Sequence, residues 1–498
     1  MSMSDATALS PSPLQEGGPS PLPGTSLPGT GPSPAPLLAR DLVIRAPAPA
    51  RALALSSLER TARAGGTGLP IMKSLHVACL PGDRHVRLGT SNLDIWQSRM
   101  IDADVRGLAP DAPDSERSIV LGSIETLAPW IASIAAGSAG DIEICAKPGA
   151  SSARVTCGRA SVGVALYPAD AYPAPPEATT RSWSLLISPA SLLRILESTS
   201  PFVSRDSGRK HLGIALQPVC EGEGPGNLRA VATDTHSLSL QYMPLVERPE
   251  GIGQMQGTSE TQGGTIEGPM AVLAADSAAI AALKLLAQSA LRATGAPSGA
   301  ASARAGRAGE GQGETARQES DGAHNSAIRL LYAPDANVLL AWHGRQSLVA
   351  RLCATPFPSW PRVIPSPAAC VSCVTLDTQS LEASLRRVAL AAAGRMDRIH
   401  LSWHRAGEGQ GEELTLAASS SSGEAQESIP AQVRGEAGSL YLASALLQRA
   451  LAACPTEGIG LHFQGPLRPL LLLPSGDARP GCEGTQAWQG VVMPMYGS

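Results

Sequence analysis

The sequence has few aromatic residues and no long hydrophobic run. Aromatic side chains make up 3% of its 498 residues, and only three are phenylalanine. We therefore expect hydrophobic cores built mainly from Leu, Ala, Val and Ile. No stretch of about 18 apolar residues occurs, so no transmembrane helix is expected. The N-terminus also lacks the basic-then-apolar order of a signal peptide. These absences predict a cytoplasmic protein without a membrane partner.

The chain also lacks a strong charge of either sign. Its 39 basic and 43 acidic residues give a formal net charge of −4. This balance argues against a basic coat over the whole surface, which general nucleic-acid binders often carry. It still permits a basic face on one side of the molecule.

The cysteines do not form a disulfide or metal pattern. There are nine of them, an odd number scattered over a long chain, which is typical of reduced thiols in a cytoplasm. One tight pair, Cys370-x-x-Cys373, has no second pair at zinc-ribbon spacing and no neighbouring His in the sequence. We therefore predict no metal and no cofactor.

Segments of low complexity interrupt the chain. The composition is rich in Pro, Ser and Gly at the N-terminus and in Gly, Gln, Ser and Ala further on, and neither stretch has hydrophobic periodicity. Such segments cannot bury enough apolar surface to offset their loss of conformational entropy. We predict a disordered extension at 1–45 and surface insertions near 249–268 and 296–325.

Outside these segments one pattern occurs three times. A first helix is followed by alternating strands, an Ala/Leu-rich second helix, and closing strands with a proline. First helices are predicted at 52–65, 188–202 and 377–394, and second helices at 123–137, 276–293 and 440–454. Ser188 and Asp377 stand at N-cap positions. We predict an α+β fold of three repeated domains with antiparallel sheets, spanning 46–180, 181–368 and 369–498.

Four motifs in order give this repeat a family likeness. They are "GLPIMKSLHV" at 68–77, "ATDTHSL" in a strand of the second unit, "FPSWPRVIP" closing that unit, and "VVMPM" near the C-terminus. Together they resemble the bacterial DNA polymerase III β subunit, the sliding clamp. The resemblance implies a head-to-tail homodimeric ring that encircles duplex DNA without sequence preference. It also implies a non-catalytic, nucleoid-associated processivity factor.

Basic residues on the predicted helices agree with such a ring, because the helices would face the DNA. They recur in all three units, and phosphate contacts would make binding independent of sequence and sensitive to salt. A solvated helix face is the alternative for any single position. The candidates are Arg60, Arg63, Arg194, Arg205, Arg209, Lys210, Lys284, Arg386, Arg387 and Arg449.

The resemblance also implies a cleft that binds hydrophobic peptides from the polymerase α subunit, the clamp loader and other proteins with a clamp-binding motif. Apolar and flexible side chains would form its floor, and His, Thr and Arg its rim. The residues carried over are Leu212, Thr233, His236, Leu238, Pro358, Arg362, Val363, Met493, Pro494 and Met495.

The cluster "TDTH" at 233–236 leaves three interpretations open. It forms the rim of the peptide cleft, or Asp234 and His236 only cap a turn, or it is a hydrolase or zinc site. No nucleophile–base pair, phosphate loop or metal-ligand set occurs at motif spacing, which disfavours the last. The sequence departs from the family pattern at Thr235 and Ser237, so the chain is either the replicative clamp or a diverged second copy. A clamp-fold scaffold that binds partners without encircling DNA is the competing function.

Overall fold

The computed structural model describes most of the chain from residue 41 to residue 496. The gaps within that span are 64–68, 81–83, 110–111, 113–116, 138–139, 252–258, 261–264, 276–277, 294–325, 393–396, 405–411, 421–422 and 479–487. The predicted N-terminal extension to residue 40 and nearly all of the 296–325 insertion lie outside the described residues. Among the described helices, none is long and apolar enough to cross a membrane.

Six α-helices form three pairs. They are α1 (Ala48–Arg63), α2 (Ile124–Gly137), α3 (Pro189–Thr199), α4 (Ala279–Ala293), α5 (Thr378–Ala389) and α6 (Ser444–Ala453). Helices α1 and α2, α3 and α4, and α5 and α6 pack against each other, and each pair marks one unit of the repeat. Ser188 caps α3 by accepting the N–H of Ser191 at 3.0 Å, and Asp377 caps α5 by accepting the N–H of Ser380 at 2.6 Å. Both predicted N-caps are confirmed.

The first unit contributes nine strands. They are β1 (Leu42–Pro47), β2 (Leu75–Cys79), β3 (His85–Ser91), β4 (Ile95–Asp102), β5 (Asp104–Arg106), β6 (Ser118–Leu121), β7 (Asp141–Ala146), β8 (Ser152–Cys157) and β9 (Ala160–Tyr167). Residues 42–45, assigned from composition to the extension, lie in β1. The reason is the alternation of "LVIRAP", which buries Leu42, Ile44 and Ala46.

The second unit contributes ten strands. They are β10 (Trp183–Ile187), β11 (Ile214–Glu221), β12 (Asn227–Thr233), β13 (Ser237–Pro244), β14 (Ser259–Glu260), β15 (Thr265–Glu267), β16 (Ala271–Leu273), β17 (Ile328–Ala333), β18 (Val338–His343) and β19 (Gln346–Arg351). Strands β14 and β15 lie inside 249–268, which was predicted as an insertion without periodic structure. They are ordered by backbone pairing, since β15 pairs with β11.

The third unit contributes nine strands. They are β20 (Ser372–Asp377), β21 (Arg398–His404), β22 (Glu413–Ser420), β23 (Gly423–Pro430), β24 (Gln432–Gly435), β25 (Gly438–Ala443), β26 (Thr456–Phe463), β27 (Leu470–Ala478) and β28 (Trp488–Val492). Residues 440–443, predicted as the start of the second helix, belong to β25, and the helix α6 begins at Ser444.

The strands form three antiparallel sheets. The largest has the order β10-β17-β18-β19-β4-β3-β2-β6-β9-β8-β7-β1-β5. The second has the order β14-β15-β11-β12-β13-β28-β27-β26-β20-β24 with β16 also on β11, and the third is β23-β22-β21-β25. The α+β class predicted from the repeat is confirmed, while the domain boundaries stay a prediction.

Two of these pairings join consecutive units. Strand β4 of the first unit pairs with β19, the last strand of the second unit, with Trp96 opposite Val349. Strand β13 of the second unit pairs with β28, the last strand of the third, with Leu238 opposite Val491. Each junction is therefore a continuous sheet, and the helix pairs pack on that sheet through Leu- and Ala-rich cores.

Candidate functional site

The cluster at 233–236 forms the turn between β12 and β13. One carboxylate oxygen of Asp234 accepts the N–H groups of His236 at 3.0 Å and Ser237 at 2.7 Å, and the Ser237 hydroxyl at 3.0 Å. Thr235 has a φ of 77°, a left-handed conformation that is costly for a β-branched residue. The three hydrogen bonds from Asp234 offset that cost, so Asp234 is the cap of the turn.

The other carboxylate oxygen of Asp234 reaches the third unit. It accepts a hydrogen bond at 2.9 Å from Arg449 on α6, a residue 215 positions further along the chain. The same guanidinium donates to the carbonyl of Pro201 at 2.9 Å. The side chains of Asp234 and Arg449 are 15% and 23% exposed, so this ion pair is screened less than a surface pair. It fixes α6 against the turn at the second junction.

Replacing Asp234 with alanine should lower the free energy of unfolding by about 2–4 kcal/mol. The change removes the turn cap and leaves a half-buried guanidinium without its carboxylate. Asp234→Asn keeps the capping oxygen and should cost roughly half as much. Urea denaturation monitored by circular dichroism measures both.

The control for this prediction is a double-mutant cycle with Arg449→Met. If the two residues act through their ion pair, the combined Asp234→Ala and Arg449→Met loss is smaller than the sum of the single losses. Strictly additive losses would show that the pair contributes nothing to the junction.

Thr233 and His236 lie at the end of the strand pairing between the units. The Thr233 hydroxyl donates to the carbonyl of Ser237 at 2.7 Å and is buried. The His236 imidazole is exposed, and its backbone carbonyl accepts the N–H of Met493 at 2.8 Å. Among the described residues no group of three or more His, Cys, Asp or Glu side chains could hold a metal ion. Within that part of the chain, the geometry is that of a turn and rim.

An apolar cluster covers the sheet face beside this turn. Its buried members are Val231, Leu238, Leu240, Trp360, Leu471 and Val491. Phe357 and Ile364 pack against it, which brings the linker after β19 onto the second junction. On that linker Pro358 is half-buried, while Arg362 and Val363 are exposed. The structure therefore brings Leu238 and the 358–363 segment to one surface.

Two further groups of the predicted cleft flank this surface. Met493, Pro494 and Met495 follow β28 and are half-buried, and the N–H of Met495 donates to the carbonyl of Tyr441 at 2.7 Å. Leu212 is 1% exposed, and its carbonyl accepts the N–H of Ser204. Leu212 is therefore packed below the surface rather than on it.

Sequence reasoning missed Trp360 and Arg229 at this surface. The Arg229 guanidinium lies 5.0 Å from the centre of the Trp360 ring and pairs with both oxygens of Glu267 at 2.8 Å. Burial opposes the charge of Arg229, but the hydrogen bonds to Glu267 outweigh burial and raise its pKa. The available signals were the tryptophan within "FPSWPRVIP" and an arginine on an otherwise apolar strand.

The predicted DNA-contacting residues divide into two groups. Three are half-buried and donate hydrogen bonds within the chain. Arg194 donates to the carbonyl of Ala453, Lys284 to the Ser200 hydroxyl at 2.6 Å, and Arg449 to Asp234. Burial lowers the pKa of Lys284. The exposed ones are Arg60, Arg63, Arg205, Arg209, Lys210, Arg386 and Arg387.

Several exposed arginines have an acidic neighbour. Arg63 pairs with Glu59, Arg209 with Asp206, and Arg386 with Glu382 at 3.5 Å. Arg387 makes a two-pronged contact with Glu427 on β23, whose hydrogen bonds raise the pKa of Arg387. Exposed pairs of this kind contribute at most about 1 kcal/mol, so an incoming phosphate can replace the carboxylate.

A cleft of about 520 Å³ lies between the second and third units on the helix side. Arg205, Arg386 and Arg449 line it, with Asp234 and Val203 beside them. Three guanidinium groups around one carboxylate give this cleft a positive balance. It is a place where the backbone of a nucleic acid could bind.

The cysteine pair has a neighbour that its sequence context did not show. His462, on β26 opposite Cys373 on β20, places its imidazole nitrogen 3.6 Å from the Cys373 sulfur. The prediction from sequence considered no histidine here, because the two residues are 89 positions apart. With no third ligand among the described residues, the pair and the histidine do not form a metal site there.

Comparisons with known proteins agree with this architecture. Residues 362–484 match the family model described as DNA polymerase III beta subunit, C-terminal domain. No curated protein matches the chain in sequence. The DNA polymerase sliding clamp from Caulobacter crescentus superposes with a TM-score of 0.68 at 19% identity, covering 91% of this chain and 100% of that one.

Two other solved clamps, each bound to griselimycin, give similar values. The Pseudomonas aeruginosa clamp has a TM-score of 0.67 at 16% identity, covering 91% of this chain and 99% of its own. The Bartonella birtlesii clamp has a TM-score of 0.67 at 15% identity, covering 92% and 100%. The resemblance found in the sequence motifs is confirmed. The chain has the fold of the bacterial DNA polymerase III β sliding clamp, and its C-terminal part belongs to that family.

Proposed function

We propose that the protein is a DNA sliding clamp, a processivity factor that closes around duplex DNA as a homodimer. The observation that carries the proposal is the repeated junction in which one strand of a unit pairs with the last strand of the next. Three units joined in this way form an arc with one unused strand edge at each end. A second copy can use both edges, which closes a ring of six units.

The repeat identifies the two edges. Strands β4 and β13 provide the pairing edge of the first and second units, and β23 holds the equivalent position in the third. Strands β19 and β28 are the last strands of their units, and β9 is the last strand of the first. We infer that β23 of one protomer pairs with β9 of the other.

Both strands have an available edge within the described chain. Strand β23 pairs with β22 and ends the four-stranded sheet. Strand β9 pairs with β8 along its length but with β6 only through Leu166 and Tyr167. Residues 160–164 therefore present an unpaired ladder, which is a template for another strand.

The charges at these two edges are complementary. Arg154 and Arg159 are exposed on the β8–β9 hairpin, while Glu424 is exposed on β23. Opposite charges across a strand junction favour the correct partner over others. This supports a head-to-tail contact between two copies of the chain.

The DNA would lie against the helix side of the ring. Exposed arginines and lysines recur on this side, and three arginines line the cleft between the second and third units. Contacts to phosphates explain sequence-independent binding by a protein whose net charge is −4.

Partner proteins would bind at the second junction, on the face opposite the helices. The apolar cluster around Leu238 and Trp360, the half-buried methionines Met493 and Met495, and the exposed His236 suit a short hydrophobic peptide. The expected partners are the polymerase α subunit and the clamp loader. Tethering requires no chemical step, so we propose a non-catalytic role.

Retention on circular DNA tests the function. Protein loaded by a bacterial clamp loader onto a nicked plasmid should co-elute with it in gel filtration and be released when the plasmid is linearised. Linear DNA with both ends blocked by bound protein is the control and should retain it. Protein that never remains on circular DNA, yet binds the polymerase peptide, would instead be a clamp-fold scaffold.

A further inference from the structure

The two junctions present the same strand face with different side chains. At the second junction Val231 lies opposite Leu240, and both belong to the apolar cluster that Trp360 covers. At the first junction the equivalent pair on β3 and β4 is Gly89 opposite Ser98. Two bulky side chains are thus replaced by a hydrogen and a hydroxymethyl group.

This replacement leaves a cavity of about 390 Å³ at the first junction. Its walls include His76, Trp96, Tyr172, Pro173 and Val349. A methyl group added at Gly89 would come no closer than 3.6 Å to its neighbours, so the space above the glycine is open. The size is within the range of sites that bind small ligands or single side chains.

The linker between the first two units forms one wall and is held in place. The Tyr172 ring stacks on the His76 imidazole with centroids 4.9 Å apart and planes inclined by 11°. The Trp96 indole N–H donates to the carbonyl of Pro173 at 3.0 Å. The aromatic walls are therefore preorganised, which lowers the entropic cost of binding.

The charges of the two junctions differ in the same way. Arg229 at the second junction pairs with Glu267, whereas its equivalent at the first junction, Arg87, has no ion pair within the described part of the chain. Arg351 adds a second guanidinium 5.3 Å from the centre of the Trp96 ring. No acidic side chain is among the described residues that line the cavity.

Burial, together with the charge of Arg87, lowers the pKa of His76 to about 4. The imidazole is therefore neutral at physiological pH and acts as part of the aromatic wall. The positive charge at the cavity then comes from the arginines, which do not titrate in this range.

We propose that the cavity bounded by Gly89, Trp96, Ser98 and Tyr172 is a second peptide site. It takes one aromatic or leucine side chain of a partner protein, and an adjacent carboxylate of that partner pairs with Arg87 as Glu267 pairs with Arg229. A peptide is the occupant because the same strand face at the second junction already accepts side chains from a linker segment. This inference does not depend on DNA retention or on the cleft near His236.

The probe is the tripeptide acetyl-Asp-Leu-4-fluorophenylalanine amide, titrated into the full-length protein and followed by 19F NMR. A bound signal should appear that is lost, with at least about tenfold weaker binding, in the double variant Gly89→Val/Ser98→Leu. This variant fills the cavity with the pair found at the second junction. An unchanged signal in the filled variant would overturn the proposal.

Two further variants separate this site from the cleft and from misfolding. Arg87→Ala should weaken the same signal about fivefold or more without changing the melting temperature, and Arg87→Lys should restore part of it. His236→Ala should leave that signal unchanged, because His236 lies at the other junction. A signal lost only with His236→Ala assigns all binding to the cleft and refutes the second site, without affecting the proposed function. Concentration-dependent self-association in place of peptide binding would also refute it.

Discussion

Replacing Gly163 with proline is expected to convert the protein from a dimer into a monomer, raising the dimer dissociation constant at least about 100-fold. Gly163 lies in β9, the strand that we propose to pair with β23 of a second copy. Cys157 and Ala160 close the two-residue turn between β8 and β9 as a directly paired couple. Hydrogen bonding alternates from there, so Ser161 and Gly163 direct their N–H and C=O groups away from β8.

The first junction supports this alternation. There the N–H of Arg351, on the corresponding edge of β19, donates to Asp94 of the neighbouring unit at 2.8 Å. Proline at 163 removes one outward donor and places a ring where the partner strand would lie, but it spares the pairing with β8. A 100-fold loss corresponds to about 2.7 kcal/mol, which is reasonable for one ladder position and a steric clash.

Gly163→Ala is the matched control, since it keeps the N–H group and its added methyl would meet open space in the protomer. Sedimentation velocity over a concentration series measures all three proteins, and thermal melting checks that the protomer stays folded. A proline variant that dimerises as tightly as the parent would exclude β9 as the closing edge.

Reversing the charge of Arg205 and Arg386 together is expected to weaken DNA association about 30-fold or more near 0.1 M salt. Both side chains are exposed and line the cleft between the second and third units. Each phosphate contact contributes about 0.9 to the slope of log affinity against log salt. Losing two contacts should therefore reduce that slope by about 1.8, and the introduced carboxylates add repulsion.

The control for the DNA prediction reverses two exposed arginines outside the helices. Arg106 on β5 and Arg345 in the β18–β19 turn have acidic neighbours, Asp104 and Asp102, as Arg386 has Glu382. Their variant has the same net charge but should retain the slope. Fluorescence anisotropy with a labelled duplex at several salt concentrations distinguishes the two. Equal slopes for both variants would mean that the cleft arginines belong to an ordinary solvated face.

Local patterns in the sequence were sufficient for the elements and their order. Apolar residues spaced for helices, alternation in strands, and capping residues such as Ser188 and Asp377 act over a few positions, so they can be read without the fold. The threefold repeat and four short motifs then indicated the clamp architecture. Errors occurred where composition was used instead of periodicity, at 42–45 and at β14 and β15.

The tertiary structure decided what each side chain does, because those roles depend on partners far away in the chain. The Asp234–Arg449 pair joins residues 215 positions apart, and it turned a predicted DNA contact into a junction contact. Cys373 meets His462, and Trp360 covers Leu238, only because strands from different parts of the chain share a sheet. The sequence by itself determined the repeat and hence the fold. Packing across the junctions decided which arginines stay exposed and where a cavity opens, since burial and pairing are set by neighbours that no local pattern encodes.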